Sequence, residues 1–140
     1  MSKYIIKGSR YAAIRPREQT KFLVVHTVSV NDFYSTCSSE DDFLWTLEAI
    51  ARDASILGHG VHFIVTPEGK VVRDRPDELH GSLNPQWNRS AVFIRVPVIG
   101  SEEQTTEAQE AALQQLLEDL EAKYPRASYH QVNGWEVLAQ

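Results

Sequence analysis

The chain reads as a single α/β domain, and three features of the sequence predict it. Short runs dense in β-branched and aromatic residues alternate with two stretches whose apolar residues recur at helical spacing. Each helical stretch is preceded by an N-cap signature. At 140 residues, 42% hydrophobic and 24% charged, the chain has material for one well-cored domain and not for two.

Taken in order, FLVVHT at 22–27 predicts a buried strand with His26 at its end. Ser39 with Asp42 resembles a capping box, and Phe43, Leu47, Ile50 and Ala51 follow at helical spacing, so a helix is expected to run to about Ser55 and stop near Gly58. GVHFIV alternates, PEG at 67–69 is turn chemistry and KVVRD is extended again, so 60–74 reads as a β-hairpin. Residues 75–90, rich in Pro, Asn, Ser and Gly, predict a long surface loop. AVFIRVPVIG (91–100) is a further strand, with Pro97 placing its end at an edge or bulge. Thr106 with Gln109 is a second capping box, and Ala112, Leu113, Leu116, Leu117 and Leu120 make the stripe of a helix that ends before Pro125. ASYHQV is a last short strand presenting His130, which completes a β-α-β-β-β-α-β order.

Charge divides the chain unevenly. Up to position 21, Lys3, Lys7, Arg10, Arg15, Arg17 and Lys21 stand against Glu18, a net of +5; the whole chain is at −5, so −10 falls on the rest. Residues 1–19 therefore read as a basic N-terminal arm and 20–140 as the domain. Such an arm is solvated, docks on its own acidic body, or touches an acidic partner or nucleic acid. No run approaches the roughly 18–20 apolar residues that span a bilayer, and the opening MSKYIIKGSR lacks a signal-peptide core, so no membrane association is expected. Cys37, the single cysteine, excludes an internal disulfide framework and suits a reducing compartment; cytoplasmic residence is the expectation. RNP motifs and Cys/His fingers are absent, and nucleic acid is not an expected partner.

Histidines fall at 26, 59, 62, 80 and 130. His26 and His130 sit at strand ends, where imidazoles either bind a metal or simply satisfy local hydrogen bonds; spacing alone leaves both open. His62 is expected on the hairpin as a structural or cleft-lining residue, and His59 in solvent. Cys37 has no local motif that would pair it with a base. Trp87, in the long loop, is placed to stack on a sugar or anchor a partner, whereas Trp45 and Trp135 read as helix-face and terminal packing.

Read together, FLVVHTVSV, GHGVHFIVTPEGKVVRDRPDELHGS, NRSAVFIRV, TEAQEAALQQLLEDLEAKYP and SYHQV resemble the zinc-dependent N-acetylmuramoyl-L-alanine amidases, the family of phage lysozyme-type amidases and peptidoglycan recognition proteins. The likeness covers roughly residues 20 to 133, in the same order. It implies a central mixed sheet flanked by helices. It also implies zinc held by His26 and His130, with a Cys or Asp some residues later as third ligand, and the metal polarising the scissile carbonyl and activating water. His80 with Gly81 matches the rim of the family's substrate cleft, where a binding role and a plain surface position both stay open; His62, His80, Trp87 and Asn88 are the candidate binding residues.

The chain departs from that pattern at the site itself. After His130 the sole ionisable side chain is Glu136, short of the usual spacing. The resemblance implies a tyrosine just before His62 that supports the reaction and a small glycine in the following strand; this chain has Val61 and Val92 there. Two histidines without a thiolate or carboxylate hold zinc poorly. The expectation is a phage- or prophage-derived, catalytically degenerate amidase-fold protein without zinc, binding peptidoglycan fragments or a partner protein such as a host or phage enzyme. The alternative is an active zinc amidase with Glu136 as an unusual third ligand.

Overall fold

The structure, a computed structural model, describes residues 14–54, 56, 58–100 and 104–135. Most of the basic arm, Ser55 at the expected helix end, and Glu136 lie outside these residues. Five strands, β1 (Phe22–Ser29), β2 (Phe63–Val65), β3 (Val71–Arg73), β4 (Ala91–Val98) and β5 (Ser128–Asn133), form one sheet in the order β3-β2-β4-β1-β5. Helix α1 spans Glu40–Asp53 and α2 spans Glu107–Lys123. β1 runs parallel to both β4 and β5, β2 is parallel to β4, and only the β2–β3 hairpin is antiparallel. The predicted element order and mixed sheet are thus present.

Every residue of β4 is buried, because a central strand is covered on both faces. Leu23, Val25, Phe63, Val65, Val92 and Ile94 pack under Leu113, Leu116, Leu117 and Leu120 of α2. Val24, Val28, Ile64, Ala91 and Phe93 share the opposite core with Phe43, Leu47 and Ala51 of α1. By the same alternation, His26 and Arg95 belong to the α1 face. Trp45 was expected on the packed face of its helix but is 65% exposed: it lies two residues from both Phe43 and Leu47, off their i, i+4 stripe.

Both N-caps form. Ser39 accepts from the Asp42 N–H at 3.1 Å, while the Asp42 carboxylate reaches one residue further back, to the Ser38 N–H at 3.0 Å. At α2 the box is reciprocal between Thr106 and Gln109. The Gln109 amide, fully buried, then donates to the carbonyls of Val65 (2.9 Å) and Pro97 (2.6 Å). β2 pairs with β4 only at Ile94 and Arg95, so Pro97 sits where that neighbour has already stopped; the strand is locally an edge, as a residue without an N–H requires.

The loop after the hairpin is fastened to the end of α2 through Asp77, whose carboxylate accepts from Arg73 and Lys123 (2.8 Å each) and from the Tyr124 hydroxyl (2.6 Å). Burial alone would raise its pKa, but the bonds from Lys123 and Tyr124 outweigh burial and bring it from 3.8 to about 2. A depressed carboxylate stabilises the fold above its unfolded pKa and loses that contribution as the pH falls through the folded one. Melting temperature is therefore expected to drop between about pH 4 and 2, and Asp77→Asn to flatten that limb while lowering stability at neutral pH. An unchanged acid limb in the variant would remove Asp77 from the account.

Candidate functional site

The residues expected to hold a metal start from β1. His26 is fully buried, and its register partners are Arg95 on β4 and Val132 on β5. Its Nδ1 accepts from Arg95 Nε at 3.3 Å, and its Nε2–H donates to the Gly134 carbonyl at 2.9 Å. Both ring nitrogens are therefore in use. Trp135 closes the space in front, with its ring edge-on to the imidazole at 5.2 Å and under the Arg95 guanidinium at 4.6 Å.

The electrostatics follow from that packing. Burial first, then the Arg95 charge, pushes His26 down to about 3, against a smaller upward pull from the Gly134 carbonyl. Burial lowers Arg95 to about 9, offset in part by Asp74. At neutral pH the pair is a neutral imidazole beside a guanidinium cation. Arg95 also donates Nη1 to the His59 carbonyl at 2.7 Å, while its Nη2 has no hydrogen-bond partner among the described residues.

A zinc ion does not fit this arrangement. Binding at either His26 nitrogen would break an existing hydrogen bond, and the dication would sit against a buried positive charge. Among the described residues no group of three or more His, Cys, Asp or Glu side chains is gathered as a metal site.

His130 does not converge with His26. It pairs with Val24, one pleat away, so the position beside His26 on β5 belongs to Val132. Its exposed ring instead meets Phe22 edge-on at 5.1 Å and Trp87 at 6.0 Å, with Ser128 Oγ 3.2 Å from Nε2. The two histidines thus lie on the same face one pleat apart, with the His26 ring turned to Gly134 and Trp135 and the His130 ring to Phe22 and Trp87.

His62, expected as a structural or cleft-lining residue, is held inside the fold. It has no exposure; Nδ1 accepts the Phe93 N–H at 2.9 Å, Nε2–H donates to the Leu79 carbonyl at 2.7 Å, and the ring stacks on Phe93. Burial is the main reason its pKa falls to about 3. His62 is a neutral tie between sheet and loop. His59, expected in solvent, is 4% exposed and 3.7 Å from Glu48, because its carbonyl is drawn in by Arg95.

The long loop leaves the other candidates, His80, Trp87 and Asn88, half-buried. Gly81 lies directly on Phe93, where a Cβ would come within 2.3 Å of the ring, and this explains a glycine after His80. The Asn88 side chain turns inward, accepting from the N–H groups of Leu83 (2.8 Å) and Asn84 (2.9 Å), and so shapes the loop. Trp87, tilted on Phe22 at 6.3 Å, joins His130 in one aromatic cluster at the start of β1. Sequence reasoning missed Arg95 altogether. Its signal was present as one charge inside the otherwise apolar run AVFIRVPV.

The family described as N-acetylmuramoyl-L-alanine amidase matches residues 16–136. No curated protein sequence matches the chain. Among solved structures, the fold is similar to that of the Ph2119 endolysin from the Thermus scotoductus MAT2119 bacteriophage Ph2119, at a TM-score of 0.68 and 16% identity, over 99% of this chain and 84% of that one. It is similar to the endolysin amidase LysCS from Clostridium intestinale URNW at 0.63 and 22% identity, covering 87% of this chain and 73% of that one. A Drosophila PGRP-LB variant in complex with tracheal cytotoxin gives 0.64 at 15% identity, over 90% and 76% of the two chains. With that family match spanning most of its length, the chain belongs to the N-acetylmuramoyl-L-alanine amidase family.

Proposed function

We propose that this chain is a non-hydrolytic amidase-fold protein that works by binding peptidoglycan fragments. The observation that carries the reading is the occupation of both His26 nitrogens, one by Arg95 and one by the Gly134 carbonyl. A histidine so held is neither a metal ligand nor, with a pKa near 3, a useful general base at neutral pH. Val61 at the tyrosine position and Val132 beside His26 supply no replacement. Binding is supported by the cluster of the half-buried Phe22 and Trp87 with the exposed His130, aromatic faces suited to a sugar, and by the tracheal cytotoxin held by one structural relative. No helix among the described residues is long and apolar enough to cross a membrane.

Protein purified without chelator is expected to carry far less than one equivalent of zinc and to leave the turbidity of a cell-wall suspension unchanged. It is also expected to sediment with insoluble peptidoglycan, and Trp87→Ala to weaken that retention by about tenfold, the loss of one stacking contact. Stoichiometric zinc together with wall lysis that disappears in His26→Ala would overturn the reading.

A further inference from the structure

Residues 14–18 return along the loop that follows the hairpin. Pro16 bridges Leu79 in antiparallel sense, the Arg17 backbone N–H donates to the Glu78 carbonyl (2.6 Å), and the His80 backbone N–H donates to the Arg15 carbonyl (2.8 Å). Between this segment and the turn ending at Arg89 lies a cavity of about 850 Å³, within the range of small-molecule sites. Its walls are of two kinds. Ile14, Pro16 and Pro85 give an apolar side, and Arg15, Arg89 and His80 a polar one, with Glu18 the acid among them.

The positive side of the cavity continues the basic character of the segment up to position 21, in a chain whose net charge is −5. Arg15 and Arg89 are exposed, and among the described residues neither guanidinium has a hydrogen bond or ion pair. Partial burial, then Arg89 and Arg17, hold His80 below its ordinary pKa against the opposing pull of Glu18. The loop wall is already fixed by the Asn88 side chain and by the Gly81 N–H on the Asn88 carbonyl (3.1 Å), so little ordering remains to be done on binding.

We propose that this cavity is a binding site for a small organic anion, with its carboxylate or phosphate between Arg15 and Arg89 and its apolar body against Ile14, Pro16 and Pro85. Free guanidinium groups are suited to both oxyanions, which they grip with paired N–H donors. The body is needed because the cavity far exceeds the volume of a bare ion. The cavity wall includes His80, Gly81 and Asn88, candidate residues of the peptidoglycan-binding reading, so the proposal rests on that reading and names an anionic group as what this part of the surface takes; it does not involve the closed pair His26–Arg95.

Calorimetric titration of the full chain at low ionic strength tests this, using hippurate, phenyl phosphate and the uncharged amide of hippurate. At least one anion is expected to saturate at one site, and the amide not to bind. Hippurate alone would identify a carboxylate ligand, and phenyl phosphate alone a phosphate ester. Arg89→Glu is expected to weaken binding by at least about tenfold, Arg89→Lys to keep most of it, and Glu18→Gln to tighten it, each in protein whose melting temperature is unchanged. No saturation by either anion, equal binding of the amide, or an unaltered affinity in Arg89→Glu would overturn the proposal.

Discussion

Arg95→Ala is expected to destabilise the chain by about 3 kcal/mol, the cost of opening a buried charged cluster and leaving a void. The guanidinium fills space between β1, β4 and Trp135 and donates to His26 and to the His59 carbonyl. Truncation leaves those acceptors buried without donors and Trp135 without its stacking partner. For a domain of this size the loss corresponds to roughly 10 °C in melting temperature. Arg95→Met is expected to melt above the alanine variant, since an apolar side chain of similar length fills the space without a charge to desolvate. Neither variant is expected to acquire zinc, because the β5 position beside His26 remains Val132. Melting of Arg95→Ala within a degree or so of the parent would show that the guanidinium holds nothing together.

A loss of similar size, about 3 kcal/mol, is expected for His62→Ala, which removes two buried hydrogen bonds and an aromatic volume. His62 joins the Phe93 N–H of the central strand to the Leu79 carbonyl of the loop. Its removal should therefore be felt beyond the point of mutation, as faster amide exchange at Gly81 and Ser82. The pH dependence has a definite sign. A histidine lowered from 6.5 to about 3 binds its proton more readily when unfolded, so its contribution is present at neutral pH and is lost as the pH falls through that window. In His62→Ala the acid limb between those values should be shallower. Exchange at Gly81 as slow as in the parent would contradict the tie.

The fold was legible because its signals are local. The Thr106–Gln109 box, the PEG turn between two β-branched runs and the leucine stripe of α2 each depend on residues a few positions apart. The site was less legible because it depends on register. The sequence places His130 in the last strand but does not say that it pairs with Val24; a two-residue offset in a parallel pair moves a side chain by one pleat and sends it to Phe22 and Trp87. Arg95 was passed over for a related reason. An arginine in an apolar strand reads as an edge or surface residue until the strand order shows β4 at the centre and His26 beside it. Asn88 was legible as a loop residue, but only the geometry shows its side chain turned inward to hold the turn.

The parallel pairing of β1 with β5 also sets the order of events during synthesis. Phe22 pairs with Ser128 and Thr27 with Asn133, partners more than a hundred residues apart. As β1 leaves the ribosome it has no neighbour; β4 comes much later and β5 last. Until then the edge of β1 that will meet β5 exposes its backbone donors and acceptors to any passing strand. Closing so long a loop is slow relative to forming the local hairpin and helices. Nascent chains halted before residue 128 would thus carry β1 as an open, sticky sheet edge, and β5 is the selvedge that covers it.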